Sequence, residues 1–102
     1  MIILSNQIGG HTMINAFLIQ PKDDVVTVAE TVCKGGDITY VQDSEEITIQ
    51  AADDIPKYHK AAVRDIKCGE NVHKYGEVIG HATEDICLGG YVHAHNVSDR
   101  VH

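Results

Sequence analysis

The strongest constraint on this chain is an internal repeat. Ala62, Asp65, Ile66, Gly69 and Val72 are spaced as A-x-x-D-I-x-x-G-x-x-V, and Ala82, Asp85, Ile86, Gly89 and Val92 repeat that spacing. A weaker copy runs from Val28 to Ile38, with Thr31, Val32 and Gly35 at the matching places. Each copy has a physical logic. An apolar residue ends a strand, and Asp or Thr bonds neighbouring backbone through its side chain. The next Ile or Val is buried. Gly supplies a positive φ or a close approach, and an apolar residue opens the next strand. Repeated turn modules joined by short strands predict a small, loop-rich β domain. Cys33, Cys68 and Cys87 all fall in the two-residue stretch between the Ile/Val and the Gly of a copy. That puts them on separate corners, which argues against one metal cluster, and their spacing matches no zinc pattern.

The chain has 102 residues, one domain's worth, with enough length for a core. There is no Trp and one Phe, Phe17, so the core must be aliphatic. Eight basic residues face fifteen acidic ones. No concentrated basic surface is visible for nucleic acid or for an anionic membrane. The apolar runs are too short to span a bilayer, and Met1–Leu4 lacks the features of a signal peptide. An odd number of unpaired thiols fits a cytoplasmic protein.

Residues 1–12 are expected to form an N-terminal extension and 13–102 the folded domain, with Met13 an alternative start. Strands are predicted over 14–20, 25–32, 37–41, 45–50, 72–74, 77–80 and 91–97. Turns are expected at Gln42-Asp43-Ser44 and Tyr75-Gly76. Asp53–His59 has the makings of one helical turn, interrupted by Pro56. The adjacent acids Asp23-Asp24, Glu45-Glu46 and Asp53-Asp54 are expected to be solvated surface.

The run from Asp65 to Val97 contains D-I-x-x-G-x-x-V, then K-Y-G-x-x-I-G, and ends V-H-x-H-N. In this combination it resembles the SAF-type β-clip domain at the front of altronate and galactarate dehydratases. His59-Lys60 resembles the end of that family's G-H-K signature, and Asp24-Val25-Val26 its D-N-V-A start. The resemblance covers Ile14 to Val97 and implies a mainly β, SAF-like fold. Two departures stand out. Gln20 occupies a place where relatives often carry His, and Tyr58 replaces the Gly of G-H-K. Tyr58 is expected to narrow or reshape a site that the Gly would leave open, and Gln20 to remove an imidazole that would serve as a ligand.

The candidate site residues follow. His59 is suited to acid–base work or metal ligation, and Lys60 to holding a sugar-acid carboxylate. His93 and His95, read as i and i+2 of a strand, would share a face and could share a metal. Lys74, Tyr75 and Gly76 form a turn in which Tyr75 could hydrogen-bond a hydroxylated substrate. The resemblance implies a small subunit or N-terminal-type domain of a sugar-acid dehydratase, inactive alone. It would act with a large catalytic subunit and a divalent metal, Fe²⁺ or Mn²⁺, that this chain need not bind by itself. It would close one wall of the site with His59, Lys60 and Tyr75. Two alternatives stay open: the small subunit of a sulfolactate sulfo-lyase, and a non-catalytic ligand-binding module. Assembly into a homo-oligomer is compatible with either.

Overall fold

The computed structural model of the chain describes residues 14–99; the predicted extension over 1–12 lies outside the described residues. Those residues form short antiparallel strands and no helix, as the repeat predicts. In chain order the strands are β1 (Ala16–Phe17), β2 (Val25–Val28), β3 (Asp37–Gln42), β4 (Glu45–Gln50), β5 (Lys60–Ala62), β6 (Asn71–Lys74), β7 (Glu77–Ala82), β8 (Tyr91–Val92) and β9 (Val97–Ser98). A four-stranded sheet has the order β1-β2-β5-β8. β3 and β4 form one hairpin; β6 and β7 form another, extended by β9.

The repeat explains how these pieces join. Ile66 and Ile86 exchange both backbone hydrogen bonds, at 2.7 Å each. Around that bridge the aspartates reach across rather than along the chain. Asp85 accepts the Cys68 N–H and Asp65 accepts the Leu88 N–H, each at 2.8 Å. The first half of the chain repeats this scheme with Val32 and Ile55. There Asp54 accepts the Lys34 N–H at 2.8 Å and Thr31 accepts the Lys57 N–H at 3.2 Å. Segment 51–60, where one helical turn was expected, is therefore a fourth copy of the turn, folded against the first.

The fourth copy also explains Tyr58. Gly35, Gly69 and Gly89 take left-handed φ values of 86°, 91° and 83°; Tyr58 stands at the equivalent place with φ 69°. A side chain is sterically allowed at such a turn only where it can point outward, and Tyr58 is 69% exposed. At Gly89 it is not allowed, because a Cβ would overlap the Gln50 carbonyl oxygen. Both hairpins close on two left-handed residues, Asp43-Ser44 and Tyr75-Gly76. This is the turn type whose twist matches a two-residue hairpin.

The core is aliphatic and divided in two. One cluster holds Val26, Val28, Val32, Ile38, Tyr40, Ile55 and Ala61; the other holds Val25, Ala62, Ile66, Val72, Ile86 and Val92. β2 and β5 lie between them. Alternate residues of a strand face opposite sides, so Val26 and Val28 enter one core and Val25 the other. Ala61 and Ala62 are divided in the same way. This is why β2 carries valine at three of its four positions, with only Thr27 polar and partly exposed.

Three strand expectations are corrected. The apolar stretch 14–20 pairs only at β1. The stretch 25–32 stops at Val28, where the first turn begins. The stretch 91–97 is two short strands separated by a turn at 93–96. Asn96 closes that turn: its Oδ1 accepts the His93 N–H and its Nδ2 donates to the Tyr91 carbonyl.

Candidate functional site

A cleft of about 590 Å³ opens between β5, the β6–β7 hairpin and the turn that follows β8. Its walls bring together four of the residues singled out from sequence: Lys60, Lys74, Tyr75 and His93. Ile79 and Val97 supply apolar surface, and Asp99 shares the lining. Lys60 reaches the cleft because it opens β5, paired with Thr27 on one side and Val92 on the other. Lys74 ends β6 and lays its Nζ 4.7 Å from the centroid of the Tyr75 ring.

The cleft is charged by Lys60, Lys74 and Asp99. Among the described residues neither Lys60 nor Lys74 forms an ion pair. Burial lowers the Lys60 pKa below 10.5, and the positive charge of Lys74 lowers it further. Two mutually repelling ammonium groups in a concave, partly desolvated surface gain most from a carboxylate placed between them.

The hairpin that carries Lys74 and Tyr75 is fixed by the two aspartates that were expected to be solvated. Asp23 and Asp24 are each only 5% exposed. The Asp23 carboxylate accepts the N–H groups of Tyr75 at 2.9 Å and Gly76 at 2.8 Å, and that of Gln20 at 3.1 Å. Asp24 accepts from Arg64 Nε at 2.6 Å and from the His73 N–H at 2.8 Å, and its Oδ2 lies 2.9 Å from His73 Nδ1. Burial works to raise the Asp24 pKa, but the hydrogen bonds from Arg64 and His73 outweigh it and hold the group below 3.8. Sequence reasoning missed this pair because its partners other than Gln20 lie 40 to 53 positions away.

His59 stands behind the cleft wall rather than on it. Its ring lies 4.9 Å from that of His93, centroid to centroid, and its Nδ1 is 2.7 Å from the Tyr91 hydroxyl. His93 and His95 do not act as one strand face. Tyr91 packs against both, His93 stacked at 5.7 Å and His95 tilted at 5.3 Å. His95 lines a separate depression with Asp53, Glu84 and Asp85. Gly76 sits in the hairpin turn beside the Gln20 side chain and does not line the cleft. Tyr58 does not line it either; Lys57 Nζ lies 4.9 Å over its ring.

The donor set does not make a metal centre by itself. Among the described residues no three His, Cys, Asp or Glu side chains are grouped to hold an ion. The three cysteines are exposed and unpaired. His59 and His93 are the neighbouring imidazoles, and two ligands do not complete a site. No described helix is long and apolar enough to cross a membrane.

Comparison with known proteins identifies relatives of this domain. The profile of the altronate/galactarate dehydratase SAF domain matches residues 14–100. The altronate dehydratase of Bacillus subtilis is 35% identical over 78 residues, which is 76% of this chain and 15% of that enzyme. The (2R)-sulfolactate sulfo-lyase subunit alpha of Chromohalobacter salexigens is 36% identical over 88 residues, covering 82% of this chain and 94% of that subunit. The same subunit of Paracoccus pantotrophus is 43% identical over 54 residues, or 81% of its length. The chain thus spans about 15% of the altronate dehydratases it matches and nearly all of the Chromohalobacter subunit. A profile match across the whole described fold, and a relative matched almost end to end, place this chain in the altronate/galactarate dehydratase SAF-domain family.

Proposed function

We propose that this chain is the small subunit of a cytoplasmic lyase that acts on a 2-hydroxy acid, and that it closes one wall of a site housed mostly on a separate large subunit. The observation that carries this is the cleft with two lysines that form no ion pair among the described residues, in an otherwise acidic protein. The reaction in view is a β-elimination. A base removes the proton α to the carboxylate, the β-substituent leaves with the electron pair of its bond, and the enol tautomerises to a 2-keto acid. Lys60 and Lys74 hold the carboxylate and so offset the negative charge that grows on it as the proton departs. Tyr75 hydrogen-bonds a substrate hydroxyl. His93 adds a polar group on the cleft wall, and His59 packs behind it. A divalent metal, Fe²⁺ or Mn²⁺, would polarise substrate oxygens in the assembled enzyme; its ligands belong chiefly to the large subunit.

With a sugar acid such as altronate the leaving group is water, and this is the first reading. The second reading, expulsion of sulfite from sulfolactate, is favoured by the end-to-end match to a sulfo-lyase alpha subunit. Both use the same carboxylate grip and differ only in the leaving group. The test is reconstitution with the large subunit, assayed on altronate, galactarate and (2R)-sulfolactate. Turnover by the complex and none by this chain alone is the expected result. Full turnover by the chain alone, or an unchanged rate after His59→Ala and Lys60→Ala, would refute the proposal in favour of a plain binding module.

A further inference from the structure

We infer that Tyr91 is a positioning residue that decides which nitrogen of His59 carries the ring proton; this rests on the proposed role of His59 at the lyase site. Tyr91 carries no role by sequence, and its place in the fold is the reason to give it one.

The His59 backbone is tied at both ends. Its N–H donates to the Pro56 carbonyl and its own carbonyl accepts from Val28, both at 3.0 Å. The ring packs in a three-ring cluster, with centroids 5.6 Å from Tyr91 and 4.9 Å from His93, which themselves stack at 5.7 Å. Tyr91 is fixed just as firmly. Its N–H donates to Asp53 Oδ2 at 3.0 Å, and its carbonyl accepts from Asn96 Nδ2 at 2.7 Å. Its ring lies between His93 and His95. The phenol therefore has little freedom to leave the His59 ring.

The Tyr91 hydroxyl lies 2.7 Å from His59 Nδ1. A neutral phenol has a single proton to give, and a neutral imidazole has one acceptor nitrogen. A phenol oxygen can also accept, so the 2.7 Å contact alone leaves the direction open; we assign the phenol as donor and Nδ1 as acceptor. The lone pair of neutral His59 is then spent on Nδ1, and the ring proton sits on Nε2. That fixes the kind of chemistry open to the residue. An Nε2–H group is a hydrogen-bond donor to a carboxylate, a hydroxyl or a developing oxyanion. In that tautomer it neither takes the α-proton nor ligates a metal. The base of the elimination must come from another group, in keeping with a site completed by a second subunit.

The tautomer can be read from imidazole ¹⁵N shifts of the full chain without any partner, with His59 assigned by its loss in His59→Gln. The expected wild-type result is a proton on Nε2 in the neutral form. Tyr91→Phe, which keeps the ring packing, should turn this into a mixture of both tautomers. In the reconstituted enzyme Tyr91→Phe should lower kcat about tenfold with KM nearly unchanged. A wild-type proton on Nδ1, or an unchanged tautomer in Tyr91→Phe, overturns the inference whether or not the chain serves a lyase. A kcat unchanged by Tyr91→Phe, in an enzyme that His59→Ala disables, also overturns it. If Tyr91→Phe does not fold, the wild-type tautomer alone decides. No effect from His59→Ala would instead sink the functional reading beneath it.

Discussion

The two halves of this molecule use one plan for different ends. Each half folds two turns face to face, bridged at Val32 and Ile55 in one and at Ile66 and Ile86 in the other. Each sends out a hairpin closed by two left-handed residues. In the first half that tip is Asp43-Ser44, an exposed polar pair. In the second it is Tyr75-Gly76, tied from below by Asp23 and flanked by Lys74 on the cleft. The terminal strands differ too. β1 finishes the first half by pairing with β2, while β9 pairs with β7 and brings Val97 and Ser98 into the cleft. The scaffold is shared, and the site comes from what is added to one copy of it.

Equal scaffolds should fail equally, and this gives the largest predicted effect. Ile55 and Ile66 are both 0% exposed at equivalent bridges. Ile55→Ala and Ile66→Ala should each cost about 2–5 kcal/mol by urea denaturation. A difference between them near the full range would show that one half is the sole folding core.

Function should break the symmetry. Lys60→Met keeps the buried stem and removes the charge. It should lower kcat/KM of the reconstituted enzyme about 10²–10³-fold, as loss of one preorganised charge-stabilising donor does. Lys34→Met, on an exposed turn of the first half, should leave it unchanged. Equal losses from the two would place the site elsewhere.

The Asp24 link separates the halves by pH. Its pKa in the fold is lowered below 3.8. The carboxylate therefore adds stability that is fully present above its unfolded pKa and is lost as pH falls through its folded pKa. Asp24→Asn should cost about 2 kcal/mol at neutral pH and should flatten the acid limb of the stability profile below about pH 4. An acid limb identical to wild type would mean that other carboxylates set it.

The smallest effect concerns Tyr58. A non-Gly residue in the left-handed region carries strain, so Tyr58→Gly should stabilise the chain by up to about 1 kcal/mol, offset in part by the freer unfolded state. A stabilised variant with undiminished activity of the reconstituted complex would show that Tyr58 strains the turn without serving the cleft.

How much of this was legible follows from what is local. The turns read well because each is a short string, and their apolar and Gly positions follow directly from burial and φ. The fourth copy had its signal as well. Ala51, Asp54 and Ile55 keep the A-x-x-D-I spacing, but Pro56 and Tyr58 replace the residues that mark the turn elsewhere. Lys60, Lys74 and Tyr75 were found through short motifs and do share a cleft. The roles of Asp23 and Asp24 could not be read. A pair of adjacent acids looks solvated until the backbone of a distant hairpin is laid over it. The separation of His93 from His95 was hidden for a related reason, since Asn96 turns the chain where alternation suggested a strand.

One feature of the core has a mechanical consequence. β2 and β5 present alternate residues to both apolar clusters, so neither cluster can shift without moving the strands that also serve the other. Among the described residues the two clusters are therefore coupled through these strands, so a strain applied to one is carried into the other.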